Sequence, residues 1–403
     1  MTRTVGLEDV RAARVLLEGV ARTTPLEGLR GLSQQVGGPV LLKCENLQRT
    51  GSFKIRGAYV RIARLSKQER AVGVVAASAG NHAQGVALAA SLLGCRSTVF
   101  MPQAAPLPKV AATRAYGAVV RHAGHTVDEA LVAAKAFAAE TGAVLIHPFD
   151  HEDIIAGQGT VGLELLEQCP DVRTVVVCTG GGGLVAGIAA AVKGLAPDVR
   201  VVAAQASGAA SLPASLAAGR PVPLEVMTTM ADGIAVGCPG ELTFALVRDL
   251  VDEVVLVDEE ALSRALLLCL ERAKLVIEPA GAAALAAVME HPEAFEPPVV
   301  AVLSGGNIDP LLLTKVVRHG LVAAGRFLSL RVAIPDRPGE LARLLGVLAH
   351  TGANVLDVEH SRTDRGLHVD EVQVALQVET RGRPHGDEVL AGLSATGYQP
   401  EVI

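Results

Sequence analysis

The sequence contains no tryptophan, and aromatic residues make up only 2% of its 403 residues. Side chains on which nucleic-acid bases could stack are therefore scarce. Neither sign of charge dominates, because 36 Lys and Arg stand against 42 Asp and Glu, a formal net charge of −6. This balance disfavours nucleic acid and anionic membranes as partners, so we expect small-molecule partners.

Paired cysteines, a leader and a membrane span are not indicated either. The six cysteines show no CxxC spacing, which is typical of reduced thiols in a cytoplasmic protein. No basic segment followed by an apolar core opens the chain, so we expect no signal peptide. Residues 174–192 are uncharged and long enough to span a bilayer, but the four glycines Gly180–Gly183 favour a strand, a loop and a helix instead.

Hydrophobic residues are abundant, at 50%, so a chain of this length can bury large cores in more than one domain. Short Val-rich runs alternate with helical patterns, which predicts an α/β fold with a mostly parallel sheet covered on both faces. The predicted strands include 73–76, 95–100, 143–146, 174–178, 199–204 and 299–303. The predicted helices include 7–20, 83–93, 127–139, 184–193 and 259–273.

The pattern changes after residue 324, and we place a domain boundary at Gly325. The tail has the order strand, helix, strand, strand, helix, strand, which predicts a ferredoxin-like unit. Its predicted elements are 327–334, 340–351, 354–362, 369–380, 387–396 and a short final strand.

Four glycine-containing loops follow predicted strands or open predicted helices: Thr50–Lys54, Ser78–His82, Gly180–Gly183 and Ser304–Asn307. In doubly wound sheets, ligands bind at such loops, where glycines let backbone N–H groups approach an anion. Taken alone, Gly180–Gly183 also suits a tight turn or a dinucleotide site. Gln205 disfavours an NAD-dependent dehydrogenase, since that fold expects an acidic residue at the end of the next strand.

Lys54 lies between Phe53 and Ile55 at the start of a predicted helix. Apolar neighbours disfavour the charged form of a lysine, which lowers its pKa and makes the neutral amine accessible. A neutral amine can form an imine with an aldehyde cofactor.

Residues 50–58, Thr-Gly-Ser-Phe-Lys-Ile-Arg-Gly-Ala, resemble the pyridoxal phosphate (PLP) lysine signature of threonine and serine dehydratases. These are enzymes of fold type II, the tryptophan synthase β-like class. Five later segments resemble that family's motifs in its order: 78–84, 180–183, 231–236, 278–280 and 304–307. The resemblance implies a catalytic domain, residues 1–324, of two doubly wound subdomains, the smaller at roughly 50–145.

The resemblance also implies roles for individual residues. Lys54 would hold PLP as a Schiff base and then remove the α-proton of the substrate, while Phe53 packs against the cofactor ring. Asn81 would donate to its phenolic oxygen, and Ser304 would face its pyridine nitrogen. The residues implied to bind its phosphate are Gly180, Gly181, Gly182 and Gly183.

The substrate carboxylate would lie near Ser78, Asn81 and His82, with Ser78 also counted as catalytic. For His82, a helix-capping role is an equal alternative. A hydroxyl at the pyridine nitrogen leaves the ring a weak electron sink, which favours loss of the β-hydroxyl. The implied reaction converts L-threonine to 2-oxobutanoate and ammonia, and L-serine to pyruvate as a secondary activity.

Differences from related PLP enzymes narrow the choice among their reactions. Sulfhydrylases and threonine synthases carry an acidic residue where this chain has Ile55. Some racemases and dehydratases bind a divalent cation at positions that here are Gln205 and Ser211, so we expect no metal. The histidines His147 and His151 have helical spacing for a metal, but Pro148 favours a strand end instead.

Residues 326–403 resemble an ACT domain, and 334–341 resemble its ligand loop. ACT domains pair through their sheets, so we expect a homodimer or homotetramer. The predicted regulatory residues are Asp336, Arg337, Pro338 and Gly339, and the expected effector is isoleucine or valine. The alternative is an assembly module without a ligand.

Two other functions stay open at this point. One is the NAD-dependent dehydrogenase. The other is a regulatory protein whose catalytic half has lost its activity, which the presence of Lys54, Asn81 and Ser304 disfavours.

We predict little or no racemisation of serine. Serine racemases carry a second serine, on the opposite face of the substrate, where this chain has Ala79, and a methyl group cannot return a proton. Chiral chromatography of the products should show pyruvate far in excess of D-serine, and Ala79→Ser should raise racemisation. D-serine formed as fast as pyruvate by the unmodified enzyme would contradict this.

Overall fold

The computed structural model describes residues 5–362 and 367–403. These residues form two compact units, one up to Leu313 and one from Thr314 onward. The domain limits inferred from the sequence, 1–324 and 326–403, stay predictions, as does the subdomain at about 50–145. Residues 1–4 and 363–366 of those ranges lie outside the described part.

The strands of the first unit are β1 (Leu26–Gly28), β2 (Val40–Cys44), β3 (Val74–Ala77), β4 (Ser97–Met101), β5 (Val119–His122), β6 (Val144–Leu145), β7 (Thr174–Cys178), β8 (Arg200–Ala206), β9 (Glu253–Val257) and β10 (Val299–Leu303). Within residues 5–313 they form a six-stranded sheet, β1-β2-β10-β7-β8-β9, and a four-stranded sheet, β5-β4-β3-β6. Neighbouring strands are parallel except β1 and β2. Every residue of β3, β7 and β10 is buried, as Val-rich strands covered on both faces require. The predicted α/β class is confirmed.

The helices of this unit are α1 (Leu7–Leu16), α2 (Arg30–Val36), α3 (Lys54–Ala63), α4 (Lys67–Val72), α5 (Asn81–Leu92), α6 (Leu107–Ala115), α7 (Val127–Thr141), α8 (Glu152–Gln168), α9 (Gly183–Leu195), α10 (Ser211–Ala218), α11 (Glu241–Leu250), α12 (Glu259–Leu268) and α13 (Pro279–Glu290). A further helix, α14 (Pro310–Ala323), spans the end of the first unit and the start of the second.

Two helices end earlier than the sequence predicts. The expected helix 7–20 stops at Leu16, because Gly19 adopts a positive φ of 72°. The expected helix 259–273 is α-helical only to Leu268 and continues as a π-helical turn, Cys269–Ala273, which Lys274 closes in the left-handed conformation. Apolar periodicity does not distinguish an α-helical turn from a single π-helical turn.

Helix α8 packs very closely against α3 on one side and α9 on the other. A Cβ on Gly157 of α8 would lie 2.6 Å from the Cα of Gly57 in α3. A Cβ on Gly187 of α9 would lie 2.3 Å from the carbonyl oxygen of Ile155 in α8. The helix that begins with Lys54 and the helix that follows the glycine loop are therefore held against one common helix.

A buried ionic cluster ties α3 and α8 to strand β2 and to Glu45, which follows that strand. The Arg56 guanidinium donates to both carboxylate oxygens of Glu45, at 2.9 and 2.8 Å, and to Glu164 at 2.6 Å. Lys43 donates to the other oxygen of Glu164 at 2.7 Å. Burial opposes ionisation of Glu45, but the Arg56 charge and the hydrogen bonds from Arg56 and Thr24 together outweigh it and hold the pKa of the carboxyl below its usual range.

The second unit has the predicted order of strands and helices. After α14 its elements are β11 (Phe327–Pro335), α15 (Glu340–Thr351), β12 (Asn354–Ser361), β13 (Glu371–Glu379), α16 (Arg383–Ala395) and β14 (Glu401–Val402). The sheet is antiparallel, in the order β12-β13-β11-β14, and alternate Val and Leu side chains of β13 face its core. Helix α16 starts four residues before the predicted position, because Pro384 is compatible with the first turn of a helix.

The six cysteines, all within the described residues, are free thiols, and all but Cys238 are buried. In the part of the chain that the structure describes, no helix is long and apolar enough to cross a membrane.

Replacing Glu45 with alanine should lower the free energy of unfolding by about 3 kcal/mol, because the Arg56 charge would stay buried with part of its compensation removed. Urea denaturation at pH 7 measures the change. The matched control is Glu8→Ala, since Glu8 pairs with Arg11 at the surface with 81% of its side chain exposed, and should alter stability little. An equal decrease in the free energy of unfolding in both variants would show that the buried cluster contributes no more than a surface ion pair.

Candidate active site

A cavity of about 860 Å³ opens at the carboxyl ends of strands from both sheets of the first unit. The loops after β3, β7 and β10 all contribute to its wall, which is where ligands bind in doubly wound sheets. The structure brings together in this wall every residue predicted for cofactor, substrate or catalysis: Phe53, Lys54, Ser78, Asn81, His82, Gly180, Gly181, Gly182, Gly183 and Ser304.

The predicted regulatory residues belong to the second unit. Asp336, Arg337, Pro338 and Gly339 form an exposed turn between β11 and α15. Gly339 precedes the first residue of α15 with a φ of 95°, a conformation that favours glycine.

Lys54 is the first residue of α3, and its side chain lies at the cavity wall. Its Nζ donates to the carbonyl oxygen of Pro148 at 2.9 Å and lies 5.1 Å from the centre of the Phe53 ring. Burial lowers the pKa of the amine to about 8, against an opposing effect of the Glu278 carboxylate. A substantial fraction of the amine is therefore neutral and nucleophilic near physiological pH.

The glycine loop leaves no space for side chains. A Cβ on Gly181 would lie 2.5 Å from the Phe149 ring, and one on Gly183 would lie 2.9 Å from the Cβ of Phe149. Gly182 adopts a positive φ of 93°, and α9 begins at Gly183. Backbone amides at a helix N-terminus form a cradle suited to a phosphate.

Ser304 and Asn81 lie at other points of the same wall. Ser304 directly follows β10, and its carbonyl oxygen accepts a hydrogen bond from the Phe53 amide at 3.2 Å. Asn81 is the first residue of α5, and its side-chain amide nitrogen donates to Glu278. An amine, an anion cradle, an aromatic ring and two polar side chains in one cavity fit PLP.

Ser78 and His82 already have partners within the loop. The Ser78 hydroxyl accepts from the Gly80 amide at 3.1 Å, and His82 Nε2 lies 2.9 Å from the Ile146 carbonyl oxygen. Burial, with the Lys54 charge as a second cause, lowers the pKa of His82 to about 3, so the ring is neutral. A neutral ring that donates Nε2–H to a carbonyl has its Nδ1 as an acceptor.

Three contributions to the cavity were not predicted from the sequence. The Pro148 carbonyl holds the Lys54 amine, and the carboxylate of Glu278 and the amide of Asn307 bond to Asn81. Glu278 had been singled out only as part of a motif and Asn307 only as the end of a glycine loop. Their partners lie far away in the chain, so spacing gave no signal.

The histidines with metal-like spacing form local hydrogen bonds. His147 Nδ1 accepts from the amides of Phe149 and Asp150, and His151 Nδ1 accepts from the Asp153 amide at the start of α8. In the described ranges, no group of three or more His, Cys, Asp or Glu side chains is arranged to hold a metal ion. Gln205 is buried near the end of β8, where its side chain accepts from the Leu212 amide at 3.0 Å.

Comparison with known proteins identifies both parts of the chain. The family model described as pyridoxal-phosphate dependent enzyme matches residues 17–305, and the ACT domain model matches residues 328–394. An L-threonine ammonia-lyase of Thermotoga maritima is 47% identical over 99% of this chain and 100% of its own length.

Solved structures of the same fold include a threonine deaminase and a serine racemase. A processed threonine deaminase isoform 2 from Solanum lycopersicum is 38% identical, with a TM-score of 0.76, over 79% of this chain and 91% of that one. A maize serine racemase is 37% identical, with a TM-score of 0.74, over 79% and 99%. These similarities confirm the predicted combination of a fold type II PLP enzyme with an ACT domain.

Proposed function

The chain belongs to the pyridoxal-phosphate dependent enzymes and carries a C-terminal ACT domain, and on this basis we propose that it acts as a threonine ammonia-lyase. It converts L-threonine to 2-oxobutanoate and ammonia, and L-serine to pyruvate as a secondary activity. The observation that carries the proposal is that Lys54, Asn81, Ser304 and the glycine loop all line one cavity.

The cofactor is held by residues with distinct tasks. The amides of Gly180–Gly183 would bind its phosphate, the Phe53 ring would pack against its ring, Asn81 would donate to its phenolic oxygen, and Ser304 would face its pyridine nitrogen. When bound, PLP would supply an electron sink for the α-carbon of the substrate.

The proton transfer is assigned to Lys54. Its depressed pKa gives a free amine that can accept the α-proton, and the Pro148 carbonyl orients that amine by accepting one of its hydrogens. The substrate carboxylate would dock near Ser78, Asn81 and His82, and Ser78 is also assigned a role in catalysis. The hydroxyl takes up a proton and leaves the β-carbon as water, and the resulting enamine takes up a proton at the β-carbon. A second water then replaces the nitrogen at the α-carbon, which releases ammonia.

We expect the purified enzyme to form 2-oxobutanoate from L-threonine faster than pyruvate from L-serine. Lys54→Ala should reduce threonine turnover by roughly 10³-fold or more, because one amine supplies both the cofactor anchor and the base. Lys67→Ala is the matched control, since Lys67 is exposed on α4, and it should keep full activity. Substantial turnover by Lys54→Ala would show that the assignment is wrong.

The second unit makes the enzyme responsive to isoleucine first and valine second. Pro338 restricts the turn and Gly339 permits its positive φ, so that amides at the start of α15 can meet the carboxylate of an amino acid. Arg362 donates to both oxygens of Asp336, at 3.1 and 3.2 Å, and so ties the turn to the end of β12. Such regulation would make the enzyme an allosteric step of isoleucine biosynthesis.

The proposal extends to assembly and location. Strand β12 is an edge strand with Leu356 and Val358 exposed, and an uncovered edge favours pairing with a second copy, as in a homodimer or homotetramer. The free cysteines suit the reducing cytoplasm.

Calorimetric titration should detect binding of isoleucine and valine, and isoleucine should change the apparent affinity for threonine several-fold, since allosteric couplings are typically about 1–3 kcal/mol. Lysine serves as the control ligand. A chain truncated after Ala324 should lose the response and keep turnover. If neither amino acid binds, and truncation only makes the enzyme monomeric, the second unit serves assembly alone.

A further inference from the structure

One chain of hydrogen bonds joins four segments of the cavity wall. Asn307 Nδ2 donates to the Thr50 carbonyl oxygen at 2.5 Å and to Asn81 Oδ1 at 2.7 Å. Asn81 Nδ2 donates in turn to Glu278 Oε1 at 2.5 Å. These three side chains thus connect four segments: the loop before Lys54, the loop after β3, the start of α13 and the loop after β10.

The direction of this chain is determined by its first member. A backbone carbonyl can only accept, so the end of the Asn307 amide that faces Thr50 must be the nitrogen. The same nitrogen faces Asn81, which must therefore present its oxygen to Asn307 and its nitrogen to Glu278. Glu278 Oε1 accepts, so every donor in the chain faces an acceptor. Flipping the Asn81 amide would place its oxygen against Glu278 Oε1 and its nitrogen against Asn307 Nδ2.

The packing around Glu278 leaves little freedom for another arrangement. Glu278 is buried, with only 3% of the residue exposed. A Cβ on Gly305 would lie 2.2 Å from Glu278 Oε1 and 3.0 Å from Asn81 Nδ2. The backbone amide of Glu278 also donates to the Gly305 carbonyl at 3.1 Å, which holds the start of α13 against this loop.

We propose that Glu278 and Asn307 are positioning residues that fix the amide of Asn81 in one orientation, with a second N–H of its nitrogen available to the cavity. An amide nitrogen carries two hydrogens, and Glu278 takes one of them. The proposal rests on the proposed function in that the other hydrogen meets the phenolic oxygen of bound PLP.

The charge of Glu278 should modulate this contact. Burial first and the Asp232 carboxylate second raise the pKa of its carboxyl to about 7, against lowering by the bond from Asn81 and by Lys109 and Lys54. Asp232 itself pairs with Lys109 at 2.9 Å. Because a carboxylate is a stronger acceptor than a carboxylic acid, ionisation of Glu278 near neutral pH should polarise the Asn81 amide.

The test compares holoenzyme variants by the absorption band of bound PLP, by kcat and KM for threonine, and by thermal unfolding. In Glu278→Ala and Asn307→Asp, we expect a shifted band and a kcat lowered by about tenfold or more, with KM changed much less, since Asn81 loses its fixed orientation. Asn307→Asp places a carboxylate against two acceptors, which drives the Asn81 amide to turn. Glu278→Gln keeps an acceptor oxygen of the same shape, so it should retain most of kcat and the band that the unmodified enzyme shows below its midpoint.

A pH titration of the band separates positioning from general stabilisation. The unmodified enzyme should show a midpoint near neutral pH, which disappears in Glu278→Gln. Asp232→Asn removes a carboxylate from the same cavity without touching Asn81, so it should keep the band but lower the midpoint, because the repulsion that raises the pKa of Glu278 is gone.

The outcomes separate failure of this proposal from failure of the proposed function. If Glu278→Gln loses as much kcat as Glu278→Ala, or if Asn307→Asp leaves the band and kcat unchanged, Glu278 and Asn307 do not act by positioning Asn81. If the bands follow the expected pattern but threonine is not turned over, the positioning stands and the proposed substrate is wrong. Should Glu278→Ala not fold, Glu278→Gln and Asn307→Asp decide the question.

Discussion

The close packing of α8 against α3 and α9 is the constraint on which the cavity depends. Hydrogen atoms are the largest side chains that fit at Gly157 and Gly187, so the backbones of the three helices touch. One of these helices begins with Lys54 and another begins at the glycine loop. The distance between the amine and the anion cradle is therefore set by contacts between backbones. Such contacts cannot rearrange as side chains can by changing rotamer.

Charges in this unit are distributed in two different ways. The cluster of Arg56, Glu45, Glu164 and Lys43 is buried and mutually compensated, so it holds helices in place. In the cavity, Lys54 and Glu278 are less well compensated, and burial is the largest cause of each pKa shift. Groups that titrate near neutral pH in a cleft are typical of sites that transfer protons.

Local sequence patterns predicted much of this architecture. The strands β7 and β10 and the helix α15 have the bounds that apolar periodicity indicated, and the motif residues meet in one cavity. Periodicity could not reveal the π-helical turn at Cys269–Ala273, because that turn differs only in its hydrogen bonds. Nor could spacing reveal that Glu278 accepts from Asn81, 197 residues earlier, since such a contact exists only once both sheets have folded.

The glycine loop has a further consequence for how a phosphate is retained. Its contribution comes from backbone dipoles, which have no proton to lose and no net charge around which dissolved ions gather. The N–H groups that would meet an anion there keep their hydrogens at every pH at which the protein is folded. Acidity that changes the charge of Lys54 or Glu278 would therefore leave the hydrogen-bond donors of this loop unchanged.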